Sequence, residues 1–529
     1  MKKNYKNPDS RISELKPHQF FLSLLMVITL LLSGAITSCS PEVIPAEEDI
    51  HPVDRADIPD TPRELRAVWI ATVSNIDWPS EPGLSAYEQK AELRAMFDRV
   101  EMLNMNAVIF QVRPATDALY KSDFEPWSEY LSGKQGQSPE PEYDPLEFAV
   151  EEARRRGLEL HAWINPFRSK HPSAESELAE NHLIHTKPDI VREYGRHLWM
   201  DPGHPESHEW SMKVIRDIVS RYDIDAMHID DYFYPYRERD EDGNEIDFPD
   251  SATYHAYVAE HGEIDRNDWR RRNVDTFIER MHKEIKEVNP EVRFGVSPIG
   301  LWRPDYQGDD IEGFDAYESI YADSRKWFAN GWLDYFTPQL YWPTEQEGQK
   351  YRVLVDWWHE QNEKDRHFWP GNFTNRIGYG EETWPVTEIT DQIRITRDFP
   401  GTTGNVHFSM RVLMQNPENL VDSLMTLYEE PALVPATDWI DDEQPSSPRA
   451  ELFRVHSKPK LDIRPAENEE AWLYVVKTRY GDEWKFDIIP AWKQQIALAP
   501  RKDGAGLSGV AVTAVNRLGV ESDPVIISN

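Results

Sequence analysis

The chain carries a single cysteine, Cys39, so an internal disulfide is excluded and the folded part must be held by its packing alone. It is short of basic residues: 58 Lys and Arg stand against 94 Asp and Glu, a formal charge of −36. Nucleic acid and anionic membrane surfaces both require a basic footprint, so neither is an expected partner of the folded part. A charge of this sign suits a neutral or cationic ligand, or simply solubility. Short-spaced metal-ligand motifs such as HExxH are missing, and no metal or cofactor is expected. Internal repeats are missing too. What the chain does have is apolar and aromatic residues, 39% hydrophobic with 19 Trp, which marks a globular protein. At 529 residues it exceeds the size at which one core stops growing, so at least two folded units are expected.

Lys2, Lys3, Lys6, Arg11 and Lys16 precede an apolar run from Phe20 to Leu32, the pattern of an export signal. The run is too short for a comfortable membrane span. The Ile36-Thr37-Ser38-Cys39 that follows resembles the lipobox of bacterial lipoproteins. That resemblance implies cleavage after residue 38 and a lipid on Cys39, with an uncleaved anchor as the alternative. The acidic, proline-bearing stretch to Pro62 reads as an extended tether. The expectation is an exported lipoprotein of the outer membrane, held to the bilayer through Cys39.

Strand-like and helix-like patterns then alternate eight times. The strand candidates are Leu65–Val73, Ala107–Pro114, Leu158–Pro166, Ala226–Phe233, Arg293–Gly300, Tyr335–Trp342, His367–Thr374 and Asn405–Val412. Helical patterns lie between them, among them Asp144–Arg156, Tyr317–Asn330 and Pro417–Tyr428, and Gly157 reads as a helix stop. This order predicts an α/β fold, a (β/α)8 TIM-type barrel over residues 63–433. Residues 434–448, rich in Pro, Ser and Asp, read as a linker. Residues 449–529 hold short strands separated by turns, and Ala514–Ser522 resembles the last hairpin of fibronectin type III modules. A small all-β sandwich is expected there.

Period-two alternation places polar side chains on one face of several strands. Gln111 and Arg113 share a face, as do His161, Trp163 and Asn165, then His228 and Asp230, then Thr337, Gln339 and Tyr341, then His407, Ser409 and Arg411. Most of these faces grow more polar toward the strand's C-terminal end, where barrel active sites sit. The stretch His228-Ile229-Asp230-Asp231-Tyr232 stands out, because ionised Asp is rarely buried unless it is paired. Asp231 shares a cleft with Asp230 only if the strand has ended before it. Glycoside hydrolysis ordinarily uses two carboxylates, one of them an acid of raised pKa. The seventh strand candidate ends without Asp or Glu, which leaves the loop residues Asp117, Asp123, Glu345 and Glu381 as other sources of a second carboxylate. Convergence of His161, His228 and His407 on a metal is a weaker option. Trp78, Trp127, Tyr234, Trp302, Trp342 and Trp384 crowd the loops, where flat faces suit sugar rings, though each also suits plugging a loop onto the barrel. Asp240–Glu245 is similar to a calcium loop but lacks its spacing, and reads as a hairpin turn.

Six stretches carry a resemblance: Leu65–Ser80, Phe110–Asp117, Ala162–Arg168, His228–Pro235, Phe294–Arg303 and Pro338–Pro343. Together they are similar to the glycosyl-hydrolase-like family ten of bacterial lipoproteins. The resemblance implies a TIM-type glycosidase, and members studied in enteric bacteria act on peptidoglycan glycan strands stripped of peptide. It places the carboxylate motif on Asp230 and Asp231. It places cleft-lining positions on Asn75, Asp77, Gln111, Arg113, Asn165, Arg168, Ser297, Arg303, Gln339 and Tyr341, to which Trp78, His228, Tyr232 and Trp342 are added as substrate-binding candidates. With no strand-seven acid, the substrate's own 2-acetamido oxygen is a candidate nucleophile. Asp230 then orients and stabilises charge and Asp231 is the general acid/base, or the two roles are exchanged. A surface glycosidase acting on dietary or host polysaccharide through Glu345, and a non-catalytic glycan-binding lipoprotein, are the alternatives. The insertion Arg237–Asp247 and the C-terminal sandwich are expected to influence which glycan fits.

Overall fold

A computed structural model describes residues 53–527 other than 309, 379 and 381. The export signal, the tether as far as residue 52, Cys39 and Glu381 lie outside the described residues. No described helix is long and apolar enough to cross a membrane.

Eight parallel strand positions make the barrel: β1 (Leu65–Ile70), β2 (Ala107–Arg113), β3 (Glu159–Ile164), β4 (Ala226–Ile229), β5 (Arg293–Val296), β6 (Tyr335–Phe336), β7 (His367–Phe368 and Gly371–Asn372) and β8 (Gly404–His407). β1 pairs with both β2 and β8, and the sheet closes on itself through β7. β7 is one strand in two pieces, the first paired with β6 and the second with β8. The break falls at Trp369-Pro370, where proline has no N–H to give to a ladder. β1, β2 and β3 are buried along their whole length, as strands covered on both faces must be.

The outer helices follow the strands in order: α1 (Ala86–Met102), α2 (Pro145–Arg156), α3 (Pro205–Arg221), α4 (Arg266–Val288), α5 (Ser324–Asn330), α6 (Tyr351–Glu360), α7 (Val386–Arg397) and α8 (Leu420–Leu427). Local chemistry sets their ends. Ser85 and Glu88 form a capping box at the start of α1. Asp144 caps α2 with Pro145 at its first position, and Gly157 ends it in the left-handed conformation at φ 70°. Several expected elements differ: among them, the fourth, fifth and sixth strands are regular only as far as Ile229, Val296 and Phe336. The eighth strand stops at His407 and Met410–Gln415 is helical, so Arg411 does not share a strand face with His407. Tyr317–Asn330 is split into Ala316–Ser319 and α5.

Apolar residues pack in two shells. One lies between sheet and helices and includes Val68, Val108, Leu160 and Phe294. The other fills the barrel interior with Ala67, Trp69, Ile109, Trp163, Tyr335 and Val406. Gly295 of β5 belongs to this interior: a Cβ there would lie 1.9 Å from Cζ of Tyr335. Only glycine admits that ring.

From Arg449 the chain forms antiparallel sheets. Arg449–Val455, Lys458–Arg464 and Gln495–Ala497 make one, and Leu473–Tyr480, Glu483–Pro490 and Ala505–Val515 make the centre of another. Leu461, Ile463, Tyr474, Val476, Val510 and Val512 bury a shared core between them, a β-sandwich. It packs against the end of the barrel where the strands begin: Arg517 reaches Asp225, just before β4, at 2.8 Å, and Trp492 donates to the carbonyl of Arg155 at 3.2 Å. The stretch expected to be a linker also lies on the barrel. Trp439 donates to Asp334 at 3.1 Å and Thr437 Oγ1 meets His367 Nε2 at 3.1 Å.

Candidate active site

At the opposite end, where the strands finish, a cavity of about 290 Å³ opens, lined by Trp69, Gln111, Trp163, Arg168, His171, Asp230, Asp231, Tyr232, Ser297, Gln339, Tyr341, Phe373 and Phe408 among others. A larger depression of about 570 Å³ lies where β1 and β8 begin. Its charged groups Glu64, Arg66 and Arg397 already pair with one another, and it is at the wrong end of the barrel for catalysis.

Asp230 and Asp231 follow directly on β4, which ends at Ile229. Beyond that point the alternation of a regular strand no longer applies, and both carboxylates line the cavity. Each is 5% exposed. Their surroundings differ. Asp230 accepts from Asn165 Nδ2 at 2.6 Å through Oδ1, which also faces the Tyr232 amide at 3.4 Å, and its Oδ2 has no donor among the described residues. Asp231 is held on both oxygens, by Gln339 Nε2 at 2.8 Å on Oδ1 and by the Tyr236 hydroxyl on Oδ2. Burial raises both pKa values. Asp230 feels in addition the charge of Asp231 and is pushed up to about 7. Tyr236 and Gln339 pull Asp231 back toward its charged form.

A relay of amides sets Asn165. The backbone N–H groups of Thr72 and Val73 each donate to Gln111 Oε1 at 2.9 Å, Gln111 Nε2 donates to Asn165 Oδ1 at 2.8 Å, and Asn165 donates on to Asp230. Beneath the cavity, His228 Nε2 accepts from Trp69 Nε1 at 3.2 Å and lies 2.9 Å from Ser297 Oγ, while its Nδ1 meets the Tyr335 hydroxyl at 2.9 Å. That hydroxyl also meets His161 Nδ1 at 2.9 Å. Burial holds the His228 imidazole well below its usual pKa, in the neutral form. His407 lies elsewhere, between Thr374 and Tyr428. The three histidines therefore do not converge, and among the described residues no cluster of three or more His, Cys, Asp or Glu is placed to hold a metal.

Of the residues expected in the cleft, Gln111, Arg168, Asp230, Asp231, Tyr232, Ser297, Gln339 and Tyr341 line it, with Asn165 and His228 directly behind. The others stand apart. Arg113 follows an irregularity in the β2–β3 pairing and turns away to a fully buried ion pair with Glu125, at 2.6 and 2.7 Å. Asn75 ties its loop to the carbonyls of Pro79 and Tyr130. Asp77 accepts from the Ala71 and Arg411 amides and from Ser409, which joins the loop after β1 to the start of the helical turn after β8. Burial raises its pKa to about 6. Trp78 is wholly buried, donating to the carbonyl of Gln89. Arg303 is claimed by Glu318 and Asp315, and Trp342 packs against the outer core. None of these lines the cavity.

The loop aromatics expected to meet sugar, Trp78, Trp127, Tyr234, Trp302, Trp342 and Trp384, are likewise outside the lining. The walls are Trp69, Trp163, Tyr232, Tyr341, Phe373 and Phe408 instead, with Tyr341 stacked on Phe373 at 4.8 Å. Parity on β1 and β3 points to Trp69 and Trp163 in the sequence. Phe373, Phe408 and His171 carry no such signal. Asp117 is buried, Asp123 and Glu345 are exposed, and none of the three reaches the cavity. The insertion Arg237–Asp247 forms a hairpin bridged at Arg239 and Glu245, immediately after Tyr236. The sandwich, on the far end, does not line the cavity.

A (β/α)8 barrel with adjacent buried acids in an aromatic-walled cavity at the ends of its strands is the architecture of a glycoside hydrolase. The chain belongs to the glycosyl hydrolase-like 10 family, whose model matches residues 64–383. It is similar to glycosyl hydrolase YngK of Bacillus subtilis (strain 168), 43% identical over 397 residues, covering 73% of this chain and 76% of that one. It is also similar to glycosyl hydrolase DigH of Escherichia coli (strain K12), 33% identical over 410 residues, covering 72% and 91%. Among solved structures, the PgaB (BpsB) glycoside hydrolase domain from Bordetella bronchiseptica aligns with a TM-score of 0.45 at 12% identity, covering 69% of this chain and 98% of that one. A likeness of that size carries no functional argument.

Proposed function

We propose that this protein is a cell-envelope glycosidase that cuts N-acetylhexosamine links in peptidoglycan glycan strands freed of peptide, with Asp230 as the general acid/base and Asp231 as the fixed negative charge. The observation that carries the reading is the unequal hydrogen bonding of two acids in one cavity. A proton donor must present an oxygen that the protein has not claimed, and Oδ2 of Asp230 is that oxygen. The raised pKa of Asp230 suits it to hold its proton near neutral pH. Asp231, gripped on both oxygens, is suited to orient an acetamide N–H and to stabilise the positive charge that builds as its carbonyl oxygen attacks. This exchanges the roles first assigned from the sequence.

Of the loop acids offered as alternative nucleophiles, Asp117, Asp123 and Glu345 lie away from the cavity, which supports a nucleophile carried by the substrate. Buried in the lining, Trp163 Nε1 has no acceptor among the described residues, and an oxygen-rich ligand supplies one. The lipobox-like Ile36–Cys39 supports export and attachment to the outer membrane, which loss of acyl labelling in Cys39→Ala checks. The proposal is tested by digesting purified peptide-free peptidoglycan and a panel of plant and host polysaccharides, with a thiazoline analogue of N-acetylglucosamine as inhibitor. Release of reducing ends from the peptidoglycan glycan alone, inhibited competitively by the thiazoline, is the expected result. Cleavage of the polysaccharides instead, or of nothing despite tight binding, overturns it.

A further inference from the structure

Six arginines are buried in the described residues: Arg66, Arg113, Arg168, Arg270, Arg271 and Arg293. Five are ion-paired, with Glu64, Glu125, Asp250, Asp268 and Glu159 respectively in the order Arg66, Arg113, Arg270, Arg271, Arg293. Arg168 is the exception. It is 2% exposed and lines the active-site cavity, yet no Asp or Glu among the described residues lies within ion-pair distance of it. Among the described residues its Nη1 makes two long hydrogen bonds, 3.3 Å to the carbonyl of Pro114 and 3.5 Å to Asn165 Oδ1. Its buried Nε has no acceptor among the described residues. The guanidinium is instead seated over the ring of Tyr232, 3.9 Å from the centroid, which fixes its plane through a cation–π contact. An unpaired buried charge is costly, and in a chain with 94 acidic residues a partner was easily supplied.

We infer that Arg168 is a carboxylate receptor of the substrate site, and that it reads the free lactyl carboxylate of an N-acetylmuramic acid unit. A guanidinium presents paired N–H groups that match a carboxylate in two parallel hydrogen bonds. On a peptide-bearing strand that carboxylate is an amide and carries no charge. On a peptide-free strand it is an anion on every second sugar. The inference rests on the proposed function and deepens it, since it gives that enzyme a physical means of telling stripped from unstripped glycan. The competing role is that Arg168 acts only as a distant counter-charge to Asp230 and Asp231, whose charged forms it favours. The two roles separate by substrate, because a counter-charge serves any glycan equally.

The test compares kcat and KM of the wild type, Arg168→Lys and Arg168→Gln on peptide-free glycan and on the same glycan after reduction of its carboxyls to alcohols. The wild type is expected to favour the carboxylate glycan by about 10–100-fold in kcat/KM, mostly through KM, the range of one charge-assisted hydrogen-bonded pair. Arg168→Gln is expected to lose that factor on the carboxylate glycan, so that its kcat/KM on the two glycans becomes equal. Arg168→Lys, which keeps charge without the fork, is expected to recover part of it. Equal wild-type rates on the two glycans, or equal losses on both in the variants, overturn the inference and leave the enzyme a glycosidase. Failure of the wild type on both glycans overturns the proposed function itself. If Arg168→Gln does not fold, the wild-type ratio alone decides.

Discussion

Asp230 and Asp231 are neighbours in sequence that the fold treats differently. The ordinary pKa of Asp230 is 3.8 and in the fold it sits at about 7, so the native state holds that proton more tightly than the unfolded chain. The stabilisation this gives is complete at low pH and is lost as pH rises toward 7. Asp230→Asn cannot titrate. Its melting temperature relative to wild type should therefore climb between about pH 4 and pH 7, and a flat difference contradicts the assignment. The same proton predicts that wild-type kcat/KM falls on the alkaline side, around pH 7. Arg113 is a second instance at this scale. Its side chain belongs to a buried pair with Glu125, so Glu125→Ala should cost roughly 3–5 kcal/mol of stability by stranding the guanidinium, with KM of the folded enzyme unchanged. Gln111, Asn165 and Gln339 were legible from strand parity because they sit on or just past regular strands. Arg113 was not, since the pairing slips between Gln111 and Arg113, and parity carries no information across such a slip.

At the scale of elements, the cavity floor depends on glycine at position 295. Tyr335 projects into the barrel across β5 and holds His161 and His228 together. Gly295→Ala places a methyl 1.9 Å from its ring. The expected result is a loss of about 1–3 kcal/mol in a denaturation experiment, the usual range for overpacking, with reduced kcat from displacement of His228 and Ser297. Unaltered stability and turnover would show that Tyr335 does not brace the site. The eight-fold alternation was readable because each strand–helix unit carries its own hydrophobic period and its own caps, such as Asp144-Pro145 and Gly157. The ends of β6, β7 and β8 were not. Pro338, Pro370 and the bend at Phe408 cut ladders that side-chain alternation alone would extend. The aromatic walls were misplaced for a related reason: bulky residues in loops plug the barrel, and those on the inward face of β1 and β3 reach the cavity.

Across the whole molecule, the cavity and the β-sandwich occupy opposite ends of the barrel. Arg517 spans the junction, stacked on Trp472 with its centre 4.3 Å from the ring and paired with Asp225 at 2.8 Å. Arg517→Ala should lower thermal stability, by about 1–3 kcal/mol for the half-buried partner of a buried carboxylate, and leave kcat/KM as it was. A fall in kcat/KM at unchanged stability would mean that the sandwich acts on the site. The central claim, that the acids following β4 perform glycoside hydrolysis, is tested most directly by the rate of reducing-end release from peptide-free peptidoglycan by Asp230→Asn. Set beside wild type, and with the variant shown to be folded, the rate should drop by ~10²–10⁴-fold, the worth of a general acid. A folded variant that releases reducing ends at the wild-type rate would contradict it.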